Sequence, residues 1–420
     1  MATDVEVQFF SHLNGLTLGN NWGDLVRLLD KALVTGINFT EITSASINGQ
    51  GDVTINLYAA HNAMLFQIVE LSGFTPSSLN QKYRIKGVPN TTQLILKPKT
   101  NITERVITTR GTGKLASLGY EIIFRDTGDV KRVYRAKDPT TQHPFIRVDE
   151  SLVSSTGSYT STYAKYAMVG LLEHMDHIDD YENPNVLQLP FEPSDPAKNW
   201  KIVGTGTSVK RGWSRWTWAK AGSGYTNSTD STAPVAANRN FTLLGDKDAF
   251  YLLNQVGTTI SLKYLQGCGL FDSALESSVI PNWFLFSHCS QDAADVSYGL
   301  GSKAGSSPLQ NNIIGSCSYV NKYTPLARLN TIVESRPILP DYQSGRSAIY
   351  ANTLVPALQV PFHDIDLNLR GTYKHVCYAG KAIEGDTKPI LAESSIYISD
   401  TALSLNGNIG GFYFYLGEFE

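Results

Sequence analysis

From Phe39 onward the chain is written in short runs of β-type residues broken by turn residues. VTINLYAA, FQIVELSG, QKYRIKGV and TTQLILKP all fall within residues 53–98. A strand of this length cannot bury an apolar face alone, so several must share a sheet. The spacing predicts a small β-barrel-like module over residues 40–105. YEIIFRDTGDVKRVYRA then reads as a hairpin turning at Thr127-Gly128, with Tyr120, Ile122 and Phe124 on one face. PFIRVDE and TYAKYAMVGLLE continue the β pattern. Pro184, Pro190, Pro193 and Pro196 hold an extended crossing to Trp200, which sets a sub-boundary near 184–200. Segments 221–238 and 302–312 read as exposed insertions, and SRPILPDY is a further proline-rich link. The last strand, GGFYFYLGEFE, places Phe412, Phe414 and Leu416 on one face and Tyr413 and Tyr415 on the other. Such a strand must pair within the fold or add to a neighbouring subunit. The fold class is therefore mainly β: a small β-barrel module plus a larger β-sandwich-like region over 106–420.

One helix precedes these strands, within an N-terminal segment of residues 1–39. Asn21 can cap a helix over 21–35, and Asp24 stands three residues later in capping-box spacing. Leu25, Leu28, Leu29, Ala32 and Leu33 make one apolar stripe, and Gly36 supplies the stop.

Composition narrows the function classes. A formal net charge of −3 gives no basic field to attract nucleic acid or an anionic membrane. No apolar run reaches the ~20 residues of a membrane span. Only 17% of residues are charged, which suits sheets with hydroxyl- and amide-rich outer faces. Cys268, Cys289, Cys317 and Cys377 are too widely spaced for a zinc knuckle or a disulfide framework and read as free thiols. MATDVEVQFF lacks the basic and apolar regions of a signal peptide, so synthesis in the cytoplasm is expected.

Several stretches invite a chemical reading. EHMDHIDDYEN, residues 173–183, concentrates two histidines and five acidic residues. His174 and Asp176 would share a strand face, and His174 and His177 could meet at i, i+3 on a helix, yet neither arrangement converges three ligands. HExxH spacing and the EF-hand glycine are both missing, so a polar strand end without metal is expected. GWSRWTWAKAG places Trp216 and Trp218 on one strand face and Trp213 and Arg215 on the other. A core strand or subunit interface is expected there. The alternative is a stacking platform for sugar, shared with the tyrosine-rich SYTSTYAKY at 158–166. Asp149-Glu150 and Asp179-Asp180 are adjacent carboxylates that alternate faces, unlike a glycosidase pair. His288-Cys289 and His363-Asp364 lack any nucleophile context, and GTGKLASLG at 111–119 lacks the P-loop's GxxxxGK[ST]. No catalytic, cofactor-binding or metal-binding residue is expected.

Ala60-His61, Ile68-Val69-Glu70-Leu71-Ser72-Gly73, Leu79-Asn80, Tyr83-Arg84-Ile85 and Asn90-Thr91-Thr92-Gln93-Leu94 together form a pattern. It resembles the small β-barrel module named after the first catalytic cysteine half-domain of ubiquitin-activating enzymes, which recurs in tailed-phage structural proteins. Phe66-Gln67 and Asn80-Gln81 stand where that pattern has Gly-Asp and Asn-Gly. YRAKDP with PFIRVDE (134–150), KYAMVGLLEHMDHID (165–179), FTLLGDKDAFYL (241–252) and the closing GGFYFYLGEFE are similar to a family of virion structural proteins from tailed bacteriophages of Gram-negative hosts. The resemblance implies a non-enzymatic virion component of the tail or baseplate. Its partners would be other virion proteins and further copies of itself, with no nucleic acid and no membrane. A virion protein that binds host surface glycan, or a capsid-associated decoration protein, is the alternative. As interface residues, the strand 213–218 and the terminal strand are the candidates.

Overall fold

A computed structural model of the chain describes residues 3–221, 230–257, 263–275, 280–289, 318–324, 327–338, 357–379, 383, 385–403 and 409–419. Strand makes up 47% and helix 8%, so the protein is mainly β. Segment 302–312, residues 222–229 of the 221–238 stretch, the end of SRPILPDY and Cys317 lie outside the described residues.

Three large sheets, antiparallel throughout, organise the chain. Among the described residues the first has thirteen strands, twelve in one path and Asp272–Ser273 pairing beside it with Leu369–Ala379. In hydrogen-bonded order it begins with Gln8–Ser11, Phe241–Gly245, Ala249–Gln255, Lys263–Leu270, Trp283–Phe286 and Ser318–Asn321. It continues through Ile332–Pro337, Ala357–Asp364, Leu369–Ala379, Ile409–Glu418, Ser395–Leu403 and Lys388–Ala392. The second sheet runs His288–Cys289, Ser214–Ala219, Lys165–Leu172, Phe145–Asp149, Lys131–Ala136 and Tyr120–Arg125, with Gln188–Leu189 beside Lys165–Leu172. The third, over residues 37–115, is a seven-stranded half-barrel. Its edge strands, Ile37–Asn38 and Ile42–Ile47, are successive pieces of one bent segment. Thr112–Leu115 pairs between Ile37–Asn38 and Ile68–Ser72, so this sheet takes in strands on both sides of residues 40–105.

The helix sits where the three sheets meet. Leu25, Leu28, Leu29, Ala32 and Leu33 are all buried in one core with Ile55 and Leu96 of the half-barrel, Val169 and Trp216 of the second sheet, and Phe250 of the first. Each leucine buried this way contributes roughly 1.5–3 kcal/mol. The start of the helix differs from expectation. It begins at Asp24, behind Gly23, and Asn21 makes no side-chain cap. Asp24 Oδ2 accepts the Asn21 N–H at 2.9 Å, while Glu150, from a distant strand end, accepts the N–H groups of Gly23 and Val26 (2.9 Å to the latter). The last turns, Asp30–Thr35, widen into a π-helix before Gly36. Gly36 has φ 72°, and a Cβ there would lie 2.1 Å from the Leu115 carbonyl oxygen, so only glycine fits.

Arg84 ties the half-barrel to both ends of the described chain. Its buried guanidinium donates to the carbonyls of Asp4 (2.9 and 2.6 Å), Val7 (2.9 Å), Phe66 (2.9 Å) and Leu416 (3.0 Å). The terminal strand Ile409–Glu418 lies between Leu369–Ala379 and Ser395–Leu403. Phe412, Phe414 and Leu416 are fully buried in the core behind the largest sheet. The strand therefore pairs within the fold, the first of the two outcomes expected for it.

Candidate functional site

The acidic stretch 173–183 leaves the strand Lys165–Leu172 as a polar turn. His174 Nε2 lies 3.0 Å from Asp176 Oδ1, both largely exposed, and His177 Nδ1 accepts the Asp179 N–H at 3.3 Å. Each imidazole is thus engaged within the turn itself. Met175 is buried and Ile178 half-buried against Phe145 and Trp200, which anchors the turn on the outer face of the second sheet. Asp179 accepts from Lys131 (2.8 Å) and Arg147 (2.6 Å). Burial works to raise its carboxyl, but these two cations outweigh burial and hold it below the usual carboxylate range. Arg147 also meets Asp149 (2.9 Å) and stacks over the rings of Trp200 (4.3 Å) and Tyr181 (4.8 Å). The turn is clamped to its sheet by charge and aromatic contact together. Among the described residues no group of three or more His, Cys, Asp or Glu is arranged to hold a metal ion.

The tryptophan strand Ser214–Ala219 is core. Trp216 and Trp218 are fully buried on one face, and Trp216 Nε1 donates to the Phe286 carbonyl at 2.8 Å. Trp213 is buried against Tyr319, with Lys198 over its ring at 4.3 Å. A sugar-stacking platform on these rings is thereby corrected: none presents a free face. The tyrosine-rich stretch behaves in the same way. Tyr159 and Tyr166 are buried and, with Trp22, surround the buried guanidinium of Arg211 at 5.6, 4.7 and 5.1 Å. Tyr163 stays half-exposed at a cavity of about 60 Å³ shared with Arg215 and Asp230. That volume has room for roughly two waters.

The adjacent carboxylates separate as strand alternation requires. Asp149 faces Arg147, whereas Glu150 reaches the start of the helix. Burial pushes the Glu150 carboxyl up to about 8, against the pull of the Gly23 and Val26 N–H donors and of Arg211. Asp180 accepts the Asp176 N–H at 2.8 Å. Asp364, buried, accepts the N–H groups of Asp366 and Asn368 (both 3.0 Å) and pairs with Arg370 at 3.3 Å, while His363 Nδ1 faces the Asp364 carbonyl. In 111–119, Lys114 lies on a strand and pairs with Glu70 at 3.3 Å. The side chains of His288 and Cys289 lie outside the described residues. Cys268 and Cys377 are free and buried, and burial raises both thiols, Cys377 to about 12. Such thiols are inert at neutral pH.

One constellation had no sequence signal. Thr140 Oγ1 lies 2.8 Å from His143 Nδ1, and His143 Nε2 lies 3.0 Å from Asp248 Oδ1. A hydroxyl, an imidazole and a carboxylate in a row is the order that activates a nucleophile. Here the Thr140 N–H also donates to Nδ1 at 2.9 Å, so the lone pair that would take the hydroxyl proton is shared. Asp248 is drawn equally to Lys374 at 2.7 Å, and His375 meets neighbouring Asp246 at 2.9 Å. The row joins a loop of the second sheet to the turn 246–248 of the first, and its geometry is that of a latch. A groove of about 450 Å³ beside the helix is lined by Asp24, Arg27, Asp30 and Arg125 among others. Arg27 pairs with Asp24 (2.9 Å) and Arg125 with Asp30 (3.0 Å), so those charges are satisfied by one another.

No family model matches the chain, and no curated protein matches it. Among solved structures it is similar to a phage phi92 endosialidase, at 10% identity and a TM-score of 0.14. The match covers 92% of this chain and 51% of the other, so the chain spans about half the length of that protein. At this TM-score the likeness carries no inference about fold or activity. No described helix is long and apolar enough to cross a membrane.

Proposed function

We propose that the chain is a non-enzymatic structural component of a tailed-bacteriophage virion, acting in assembly of the tail or baseplate. The observation that carries this reading is how its buried charge is used. Arg84, Arg132, Arg147 and Arg211 are fully buried, and each fastens one segment to another through carbonyls or carboxylates. Buried cations spent on fastening give a body that holds its shape, which is what a repeating component of a particle needs. The four stretches that resemble virion proteins contribute strands to the first and second sheets. Glycan recognition through the tryptophans is disfavoured by their burial, which leaves Tyr163 as the surviving ring of that alternative. The test is purified particles. The chain should be present in a fixed multiple copy number, with density for its sheets in the tail or baseplate by cryo-electron microscopy. Its absence from washed, infectious particles would overturn the proposal.

A further inference from the structure

Lys263 opens a strand of the largest sheet, and Asp400 lies in Ser395–Leu403, seven strands away in hydrogen-bonded order. The sheet nevertheless brings them together: Lys263 Nζ contacts Asp400 Oδ1, with both side chains buried from solvent. A second carboxylate, Asp386, lies 2.8 Å from the same nitrogen. Thr242 Oγ1 donates to Asp400 Oδ2 at 2.6 Å and is itself 2.6 Å from Thr387 Oγ1. Asp386 is held by Thr401 (2.8 Å) and Asn240 (3.4 Å) and is partly open to water. An ion pair needs one carboxylate. This cluster offers an amine, a carboxyl on which a hydroxyl already donates, and a separate carboxylate touching the amine.

We propose that Lys263 and Asp400 form an intramolecular amide bond, with Asp386 as the proton carrier. Asp386 takes a proton from the Lys263 ammonium, and the neutral Nζ attacks Cγ of the protonated Asp400 carboxyl. The Nζ–Cγ bond forms while the Thr242 hydroxyl stabilises the charge that develops on Oδ2. Asp386 then protonates Oδ1 as the Cγ–Oδ1 bond breaks, and one water leaves. The amine's second proton returns the carrier to its protonated form, and its open side lets it exchange that proton with solvent. No oxidant or further reactant is required.

The two carboxyls are poised for these different roles. Burial pushes Asp400 up, toward the neutral acid that can be attacked, and Lys263 and Thr242 offset only part of this. Burial also acts to raise Asp386, but the charge and donated hydrogen bond of Lys263, with Thr401 and Asn240, prevail and keep it ionised. Burial further holds the reacting groups together without competing water. The bond would close a covalent loop between strands 137 residues apart in sequence.

Intact-mass measurement of the purified chain, followed by peptide mapping, tests this. The expected mass is that of the sequence less one water, with a branched peptide joining the Lys263 segment to the Asp400 segment. Lys263→Arg, which keeps the charge, and Asp386→Asn should both show the full sequence mass. A wild-type chain at full mass overturns the proposal, as does a water loss that persists in Lys263→Arg or maps elsewhere. Undiminished cross-linking in Asp386→Asn overturns the role given to Asp386.

Discussion

The turn at 173–183 and the start of the helix at 23–26 both depend on carboxylates, and they use them in opposite ways. The turn gathers five acidic residues and two histidines into eleven positions, yet most of those groups face water or one another. The helix start draws on a single fully buried carboxyl group, Glu150, supplied from more than a hundred residues away. Density of ionisable residues along the chain is therefore a poor guide to which polar groups hold the fold together. Burial and the number of groups left without a partner on removal are the better guides.

Buried fastenings should show the largest effects. Arg84→Ala would strand the carbonyls of Asp4, Val7, Phe66 and Leu416 inside the protein. A loss of about 3–5 kcal/mol is expected in chemical denaturation, because removing one side of a buried charged network leaves the other unsatisfied. A loss below ~1 kcal/mol would erase the contrast with the exposed turn.

Glu150 gives an intermediate effect with a pH signature. Its folded-state value of about 8 lies above its ordinary 4.5, so its contribution is fully present below 4.5 and is lost as pH rises through 8. Denaturation midpoints from pH 5 to 9 should fall more steeply for the wild type than for Glu150→Gln, which cannot titrate. Parallel curves would show that the Gly23 and Val26 donors hold the carboxylate ionised throughout.

The smallest effects belong to the turn's histidines. His174→Ala and His177→Ala should each change stability by no more than about 0.5 kcal/mol, as exposed pairs do. Elemental analysis of chelator-free protein should find no stoichiometric transition metal. One zinc per chain, lost in His174→Ala, would make the turn a site after all.

Local pattern carried what local physics decides. Alternation placed Trp216 and Trp218 on one buried face, and helical spacing named five of the six buried apolar residues of the helix, missing Val26. The hairpin at 120–136 shows where that logic stops. Tyr120 and Ile122 face the central core, but a bulge opposite Val133/Tyr134 carries Phe124 to the outer cluster. One extra residue reverses every later assignment on a strand. The Asn21 cap failed for a related reason: a tertiary acceptor displaced the local one. The Thr140–His143–Asp248 row and the grip of Arg84 join residues so far apart in sequence that no spacing could announce them.

The pairing of Gln8–Ser11 with Phe241–Gly245 also sets a timetable. On the ribosome the earlier strand emerges long before its partner exists. At ordinary elongation rates the wait is roughly 10–50 s, far longer than hairpin closure takes. Throughout that interval QFFS presents an unmatched edge beside two phenylalanines, and Arg84 cannot reach Leu416 until the last strand has been made. The half-barrel can be complete early, whereas the assembly around it must wait. Slow, late maturation, with sensitivity to temperature and expression rate, follows from the order in which the chain is spoken.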